Sequence, residues 1–223
     1  MNKNSEHKAF VFNAYGTILD PYLPFLEYSD QLGENAQLVY KLWLTKRLQY
    51  ASQLSIMNKY KSYEIIRKDA LDFACDVYGI NDESLKENLL THSKLHTYSD
   101  AKDILEPLHE KRITTGVLSN GAPQKIRSTL KQAGISGLID GIFTTELIRA
   151  FKPSPAVYEY VSEKLALPPN KICFISSNSW DVAGASACGF YSIWLNRYDH
   201  IAERLPYTAD LTIKSLSELN SLI

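Results

Sequence analysis

The sequence has 223 residues and nearly balanced charges, with 24 basic and 25 acidic side chains and a formal net charge of −1. This length is sufficient for one substantial core, with or without an inserted segment. The balanced charge argues against nucleic acid or an anionic membrane as the partner, so a small molecule is the expected partner.

No segment has the ~18 consecutive apolar residues of a membrane helix, and residues 1–8 contain no apolar signal region. The three cysteines, Cys75, Cys173 and Cys188, are far apart and lack the close spacing of a metal site or a disulfide framework. We therefore expect reduced thiols in a cytoplasmic protein, and these features indicate neither a metal site nor another cofactor.

The first predicted element is a buried strand over residues 9–12, an apolar run that ends at the polar side chain of Asn13. In open α/β sheets, ligands bind just beyond the carboxyl ends of such strands. Asn13, Tyr15 and Thr17 are therefore candidate site residues.

Residues 20–98 show helical patterns and little alternation typical of strands, which predicts an all-helical cap. Apolar residues at helical spacing predict two helices, marked by Leu38, Val39, Leu42 and Trp43 and by Tyr63, Ile66, Ala70, Phe73, Ala74 and Val77. Gly79 is expected to end the second helix, and a third, mostly polar helix is expected over residues 82–92. The core would then comprise residues 1–19 and 99–223.

From Asp100 onward, predicted helices and strands alternate, a pattern typical of βαβ units around a parallel sheet. The predicted strands cover residues 115–118, 141–144, 171–175, 192–195 and 211–213. The predicted helices cover residues 103–111, 123–133, 155–165 and 216–222, together with a small-residue helix that ends at Ala187. The predicted fold class is α/β, a doubly wound (Rossmann-like) parallel sheet with an inserted helical cap.

Polar residues follow three of the predicted strands, as Asn13, as Ser119-Asn120-Gly121 and as Ser176-Ser177-Asn178. If these strands are neighbours in a parallel sheet, their ends line one crevice, and the helix N-termini behind them offer N–H groups to an anion. A carboxylate or a phosphate is the expected ligand. Lys152 is followed by prolines that stiffen the loop, and such a loop is able to hold the Lys152 ammonium in the crevice.

Four motifs in order, Phe-x-Ala-Tyr-Gly-Thr (12–17), Leu-Ser-Asn-Gly (118–121), Phe-Lys-Pro (151–153) and Ser-Ser-Asn-x-x-Asp (176–181), resemble those of the haloacid dehalogenase superfamily. The first motif is closest to the L-2-haloacid dehalogenase branch, and the resemblance spans nearly the whole chain. It implies catalytic roles for Asn13, Thr17, Lys152, Ser176, Asn178 and Asp181. It implies substrate-binding roles for Tyr15, Leu44, Ser119, Asn120, Tyr158 and Trp180.

The resemblance also implies a specific role for each of several of these residues. Lys152 would offset charge at the nucleophile, Ser119 would hold the substrate carboxylate, and Asp181 with Ser176 and Asn178 would steer the hydrolytic water. The phosphatase branch needs carboxylates for Mg²⁺ at two positions that here hold Tyr15 and Ser177. We therefore expect metal-independent attack at carbon rather than magnesium-dependent phosphatase activity.

Two residues depart from the dehalogenase pattern. Asn13 stands where the family has an aspartate nucleophile, and a neutral amide oxygen is far less nucleophilic than a carboxylate. Leu44 stands where the branch has an arginine that receives the halide; Arg47 is a candidate substitute, although a solvated surface position is expected for it. With Asn13 neutral, the Lys152 ammonium is expected to lack its usual partner, the aspartate at position 13.

The sequence leaves open whether Asn13 is an engineered substitution or natural divergence. The leading hypothesis is a hydrolase acting at C2 of a small 2-substituted carboxylic acid through an ester intermediate, inactive or strongly impaired because of Asn13. The alternatives are a catalytically silent carboxylate-binding protein, or a C–N hydrolase such as an azetidine-2-carboxylate hydrolase. The leaving group is not determined, and the apolar cap faces are compatible with a homodimer.

Overall fold

The computed structural model describes residues 7–91 and 95–223, and its first element is the buried strand β1 (Ala9–Asn13). All five residues of β1 are buried, and the strand ends at Asn13, as predicted. A tight turn follows, in which Gly16 has a φ of +85°, a conformation that favours glycine. The turn leads into the short strand β2 (Leu19–Asp20).

A helical segment follows β2. Its helices are α1 (Tyr22–Leu26), α2 (Ser29–Leu32), α3 (Ala36–Ile56), α4 (Tyr63–Val77) and α5 (Glu83–Thr91), with a 3₁₀ turn at Gly33–Asn35. Gly79 follows α4 with a φ of +69°, which confirms that it ends this helix. The predicted end of the third helix, at His92, lies outside the described residues. The chain returns through β3 (His96–Thr97), which pairs antiparallel with β2.

The helices α3 and α4 pack through Val39, Trp43, Ala70 and Ala74, all of which are buried. The Trp43 Nε1–H donates a hydrogen bond of 2.9 Å to the Arg67 carbonyl and links the two helices. Three residues of the predicted apolar stripes are instead exposed: Leu38, Phe73 and Val77. A helix turns about 100° per residue, so residues next to the α3–α4 contact in sequence point away from it. The predicted stripes therefore included side chains that lie outside the contact.

The remainder of the chain alternates helix and strand. Its helices are α6 (Ala101–Glu110), α7 (Pro123–Gln132), α8 (Pro155–Leu165) and α9 (Ser179–Ala187), with 3₁₀ segments at Ser136–Leu138, Pro169–Lys171 and Leu216–Leu222. Its strands are β4 (Thr114–Ser119), β5 (Gly141–Thr144), β6 (Ile172–Ser176), β7 (Tyr191–Leu195) and β8 (Leu211–Ile213).

Six strands form one parallel sheet in the order β5-β4-β1-β6-β7-β8, which confirms the α/β doubly wound fold. Successive β1 side chains enter opposite faces of the sheet: Phe10 and Phe12 pack in one hydrophobic cluster and Val11 in another. Both faces are covered by helices, and this explains why β1 is continuously apolar up to Asn13. In the parallel register Asn13 lies beside Leu118, so β1 and β4 end at the same edge of the sheet.

Candidate active site

The ends of β1, β4 and β6 meet around the ammonium of Lys152. Its Nζ donates to Asn13 Oδ1 at 2.9 Å, to the Leu118 carbonyl at 3.3 Å and to Asp181 Oδ2 at 2.6 Å. Asn13, Lys152 and Asp181 are 5%, 2% and 0% exposed, respectively. The structure therefore places Lys152 in direct contact with two further predicted catalytic residues, in a site shielded from water.

Although position 13 supplies no charge, Lys152 has a charged partner in Asp181, with which it forms a buried ion pair. Asp181 also accepts hydrogen bonds from Tyr158 Oη to Oδ1 at 2.7 Å and from Ser176 Oγ to Oδ2 at 3.1 Å. Burial, reinforced by the Asp181 carboxylate, raises the pKa of Tyr158 well above its ordinary value. Tyr158 is thus a neutral hydrogen-bond donor that fixes the carboxylate.

The amide of Asn13 is held at both of its polar atoms. Its oxygen faces Lys152, while its Nδ2 donates to the Tyr15 carbonyl at 2.8 Å and to Thr17 Oγ1 at 3.3 Å. Because a carbonyl oxygen only accepts, the contact with Tyr15 fixes which way the amide points. Thr17 Oγ1 also accepts from the Ser177 backbone N–H at 2.9 Å, so this hydroxyl ties the turn after β1 to the end of β6.

Ser119 and Asn120 follow β4 at the same edge of the sheet. Ser119 Oγ accepts a hydrogen bond from the Gly121 N–H at 3.2 Å, and Asn120 Oδ1 accepts one from the Lys152 N–H at 3.0 Å. The side chain of Asn120 therefore positions the loop that carries Lys152. This supporting contact is not specified by the sequence motif.

Asn178 follows β6 and Trp180 lies in the first turn of α9, and both are partly buried. The Asn178 N–H donates to Ser176 Oγ at 3.1 Å, so its backbone helps to orient that hydroxyl. Trp180 is adjacent to Asp181 in the chain, but its side chain does not line the cavity described next.

A cavity lies between the helical segment and the sheet edge. Tyr15 and Gly121 line it from the core side, and Tyr40, Trp43, Arg47 and Tyr63 are among the residues that line it from α3 and α4. Leu44 is not among the residues that line this cavity and is 37% exposed, and its substrate-binding role stays a prediction. Trp43 and Arg47 are four positions apart and share the cavity face of α3, whereas Leu44 is rotated about 100° from Trp43.

Arg47 is not a solvated surface residue, which corrects the expectation stated for it. Its guanidinium carbon lies 5.5 Å from the centre of the Trp43 ring and 5.7 Å from that of Tyr63, and it donates to Tyr63 Oη at 3.3 Å. Its Nε is buried without a hydrogen-bond partner. The spacing of four residues from Trp43 was the available sequence signal for this placement.

Within residues 7–91 and 95–223, no group of three or more His, Cys, Asp or Glu side chains is arranged to hold a metal ion. The cysteines in this part of the chain are free thiols, as predicted. No helix of the described residues is both long enough and apolar enough to cross a bilayer.

Comparison with known proteins gives consistent matches over almost the whole chain. Residues 7–189 match the family described as haloacid dehalogenase-like hydrolase. The (S)-2-haloacid dehalogenase 1 of Pseudomonas sp. (strain CBS-3) is 33% identical, over 97% of this chain and 96% of its own length. A solved dehalogenase with an intermediate complex is 31% identical, with a TM-score of 0.93 and coverage of 98% of this chain and 97% of its own.

A further similar structure is the L-2-haloacid dehalogenase from Xanthobacter autotrophicus with chloropropionic acid covalently bound. It is 26% identical and has a TM-score of 0.89, with coverage of 97% of this chain and 98% of its own.

Proposed function

Because the chain belongs to the haloacid dehalogenase-like hydrolase family, we propose that it has the site of a metal-independent hydrolase acting at C2 of a small 2-substituted carboxylic acid. The observation that carries the proposal is the position of Lys152, whose Nζ lies 2.9 Å from Asn13 Oδ1 and 2.6 Å from Asp181 Oδ2. The Lys152 ammonium thus contacts both the side chain at the nucleophile position and Asp181, the residue expected to orient the hydrolytic water.

In the proposed reaction, a carboxylate at position 13 attacks C2 and forms an ester, while the leaving group departs with the electron pair of its bond to C2. A water molecule oriented by Asp181 and Ser176 then attacks the ester carbonyl. This step releases a 2-hydroxy acid and restores the carboxylate. Ser119 with the neighbouring backbone amides is proposed to hold the carboxylate of the substrate during both steps.

Asn13 interrupts this reaction at its first step, because the amide oxygen is neutral and a poor nucleophile. As it stands, the protein is therefore proposed to bind the substrate and to be strongly impaired in turnover.

A second candidate function is a catalytically silent carboxylate-binding protein. It is favoured by the hydrogen bond from Asn13 Nδ2 to the Tyr15 carbonyl at 2.8 Å, which an amide makes and a carboxylate cannot. An aspartate in the same orientation would place two acceptor oxygens against each other. The side chain would then have to rotate before it could attack.

The substitution Asn13→Asp separates the two functions. Restoring a nucleophile in covalent catalysis commonly returns on the order of 10⁴ to 10⁶ in rate, so activity should be unmistakable if Lys152 and Asp181 have the proposed roles. Both proteins would be offered L-2-chloropropionate and L-azetidine-2-carboxylate, and the assay would follow halide, ring-opened product and the mass of the peptide containing residue 13.

Turnover by the Asn13→Asp protein that continues in the presence of EDTA is the expected result. Turnover of the azetidine compound alone would identify a C–N hydrolase. If Asn13→Asp is inert towards both compounds and forms no adduct, while either compound still binds, the silent carboxylate-binding protein is the correct assignment.

A further inference from the structure

The cavity between the helical segment and the core is positively charged. Three basic side chains, Arg47, Arg67 and Lys125, line it together with a single acidic one, Glu64. One monocarboxylate ligand would not balance this charge. The cavity reaches the core at Gly121, whose N–H donates to Ser119 Oγ, so it adjoins the residue proposed to hold the first carboxylate.

The single acidic residue is already engaged. Arg67 Nη1 donates to Glu64 Oε2 at 2.7 Å, and Arg67 Nη2 contacts the Leu90 carbonyl at 3.5 Å. Arg47 forms no ion pair with any carboxylate of the described residues. Its hydrogen bond to Tyr63 leaves most of its guanidinium N–H groups available, and its Nε is buried without a partner.

An unpaired cation in such a place is costly, because burial removes water from a charge that has no counter-ion. A guanidinium cannot lose its proton at physiological pH, so it cannot escape this cost by becoming neutral. Binding of an anion to Arg47 would relieve the cost. The planar fork of nitrogens suits a carboxylate, which accepts two parallel hydrogen bonds.

The neighbouring tyrosines add hydroxyl donors to the same cavity. Burial raises the pKa of Tyr40 to about 12 and also raises the pKa of Tyr15. Both hydroxyls therefore keep their protons at neutral pH and can donate to an anion. Tyr63 Oη already lies against the guanidinium and completes a donor-rich wall.

We propose that the natural ligand is a dicarboxylic acid, whose second carboxylate binds Arg47 in this cavity while its first lies at Ser119. The inference rests on the proposed function, because that function places the first carboxylate and the reacting C2 at the sheet edge. It names the substrate class as 2-substituted dicarboxylic acids.

The test is isothermal titration of the protein as it stands, at low ionic strength, with L-2-chloropropionate and L-2-chlorosuccinate. Asn13 prevents turnover in the proposed mechanism, so the titration measures binding. We expect the dicarboxylate to bind about 10- to 100-fold more tightly, a preference that weakens as salt screens the charges. Arg47→Met should bind the two acids with about equal affinity, and Arg47→Lys should retain part of the preference for the dicarboxylate.

Lys41→Met is the matched control. It removes one positive charge from the same helix at an exposed position outside the cavity, so it should leave the preference unchanged. Denaturant melts check folding: Arg47→Met should be close in stability to the unaltered protein, because the loss of a partly buried, unpaired charge offsets the loss of the guanidinium contacts with Trp43 and Tyr63.

Equal affinity for the two acids would overturn the inference, as would a preference that survives in Arg47→Met or an absence of dicarboxylate binding at millimolar concentration. These outcomes are independent of the test of the proposed function. If Asn13→Asp turns over L-2-chloropropionate but the preference is absent, only the proposed second-carboxylate site is refuted. If the preference is present and Asn13→Asp is inert, only the proposed reaction is refuted.

Discussion

At the scale of single residues, the electrostatics of the site depend on Lys152. Its ammonium is enclosed with the Asp181 carboxylate, and Asp181 is in turn held by Tyr158 and Ser176. Tyr158 and Asp181 lie in helices and were expected at the site only from the family resemblance. The motifs also predicted that Lys152 and Ser176 would lie near one another, because one belongs to a loop at that edge and the other ends a strand there. They did not predict the ion pair, because the order of residues along the chain gives no distance between side chains.

The ion pair has a measurable consequence for stability. Lys152→Met should destabilise the protein by about 3–5 kcal/mol, because it leaves Asp181 charged and buried without its partner. Asp181→Asn should have a comparable effect, because it leaves the Lys152 ammonium buried without its partner. The double variant Lys152→Met/Asp181→Asn should lose less than the sum of the two, since neither charge is then left unpaired. Urea unfolding of the four proteins measures this coupling, and strictly additive losses would show that the pair is not coupled.

At the scale of elements, Arg197 connects both crossings between the core and the helical segment. Its Nη2 donates to the Thr17 carbonyl at 3.1 Å, near the first crossing, and its fork pairs with Asp100 at 2.6 and 2.8 Å, near the second. The guanidinium also lies 4.3 Å from the centre of the Tyr98 ring. Sequence reasoning missed this residue, because it follows β7 and belongs to none of the four motifs.

Asp100 makes this connection dependent on pH. Burial alone would raise the pKa of Asp100, but hydrogen bonds from Arg197, the Leu216 N–H and Ser215 Oγ outweigh it and hold the pKa below its ordinary value. The folded state therefore binds this proton less readily than the unfolded chain. The stability that Asp100 contributes is complete above its unfolded pKa, about 4, and is lost as the pH falls through the lower folded pKa.

We therefore expect Asp100→Asn to be less stable than the unaltered protein at pH 7, with a difference that shrinks as the pH is lowered below about 4. Urea midpoints measured across this range provide the comparison. Glu106→Gln, at an exposed carboxylate on the same helix, is the control and should show only a small difference throughout. A constant deficit of Asp100→Asn at every pH would contradict the assigned role of the charge.

At the scale of the whole molecule, the parallel sheet was predictable and the orientation of the helices above it was not. Every strand of the main sheet was predicted because strands buried on both faces are short apolar runs bounded by turn residues. The β2–β3 ribbon was missed because strands of two residues carry no periodicity. The cavity face of α3 was also missed, because the exposed Leu38 and Leu44 are as apolar as the buried Val39 and Trp43. Apolar character alone therefore did not identify the side that Trp43 and Arg47 share.

Contacts between the helical segment and the core connect the helical segment to the loop that carries Lys152. The Phe151 N–H donates to Ser55 Oγ at 2.9 Å, and the Phe151 ring stacks on Tyr60 at 5.3 Å, next to Lys152 in the chain. We propose the division into a core of residues 1–19 and 99–223 and a cap of residues 20–98 on the basis of the β2–β3 ribbon. The homodimer stays a prediction, and Leu38, Phe73 and Val77 are among the exposed apolar side chains of the helical segment that are available for it.

The proposed reaction assigns the attacking atom to position 13, and a single turnover can show whether this assignment is correct. Asn13→Asp, in excess over L-2-chloropropionate, would react in water enriched in heavy oxygen, and mass spectrometry would locate the label. Attack of water on the ester carbonyl predicts that the label enters the carboxylate at position 13, while the hydroxyl oxygen of the product comes from the protein. Label in the product hydroxyl, with none on the peptide containing residue 13, would show that water attacks C2 directly and would contradict the account.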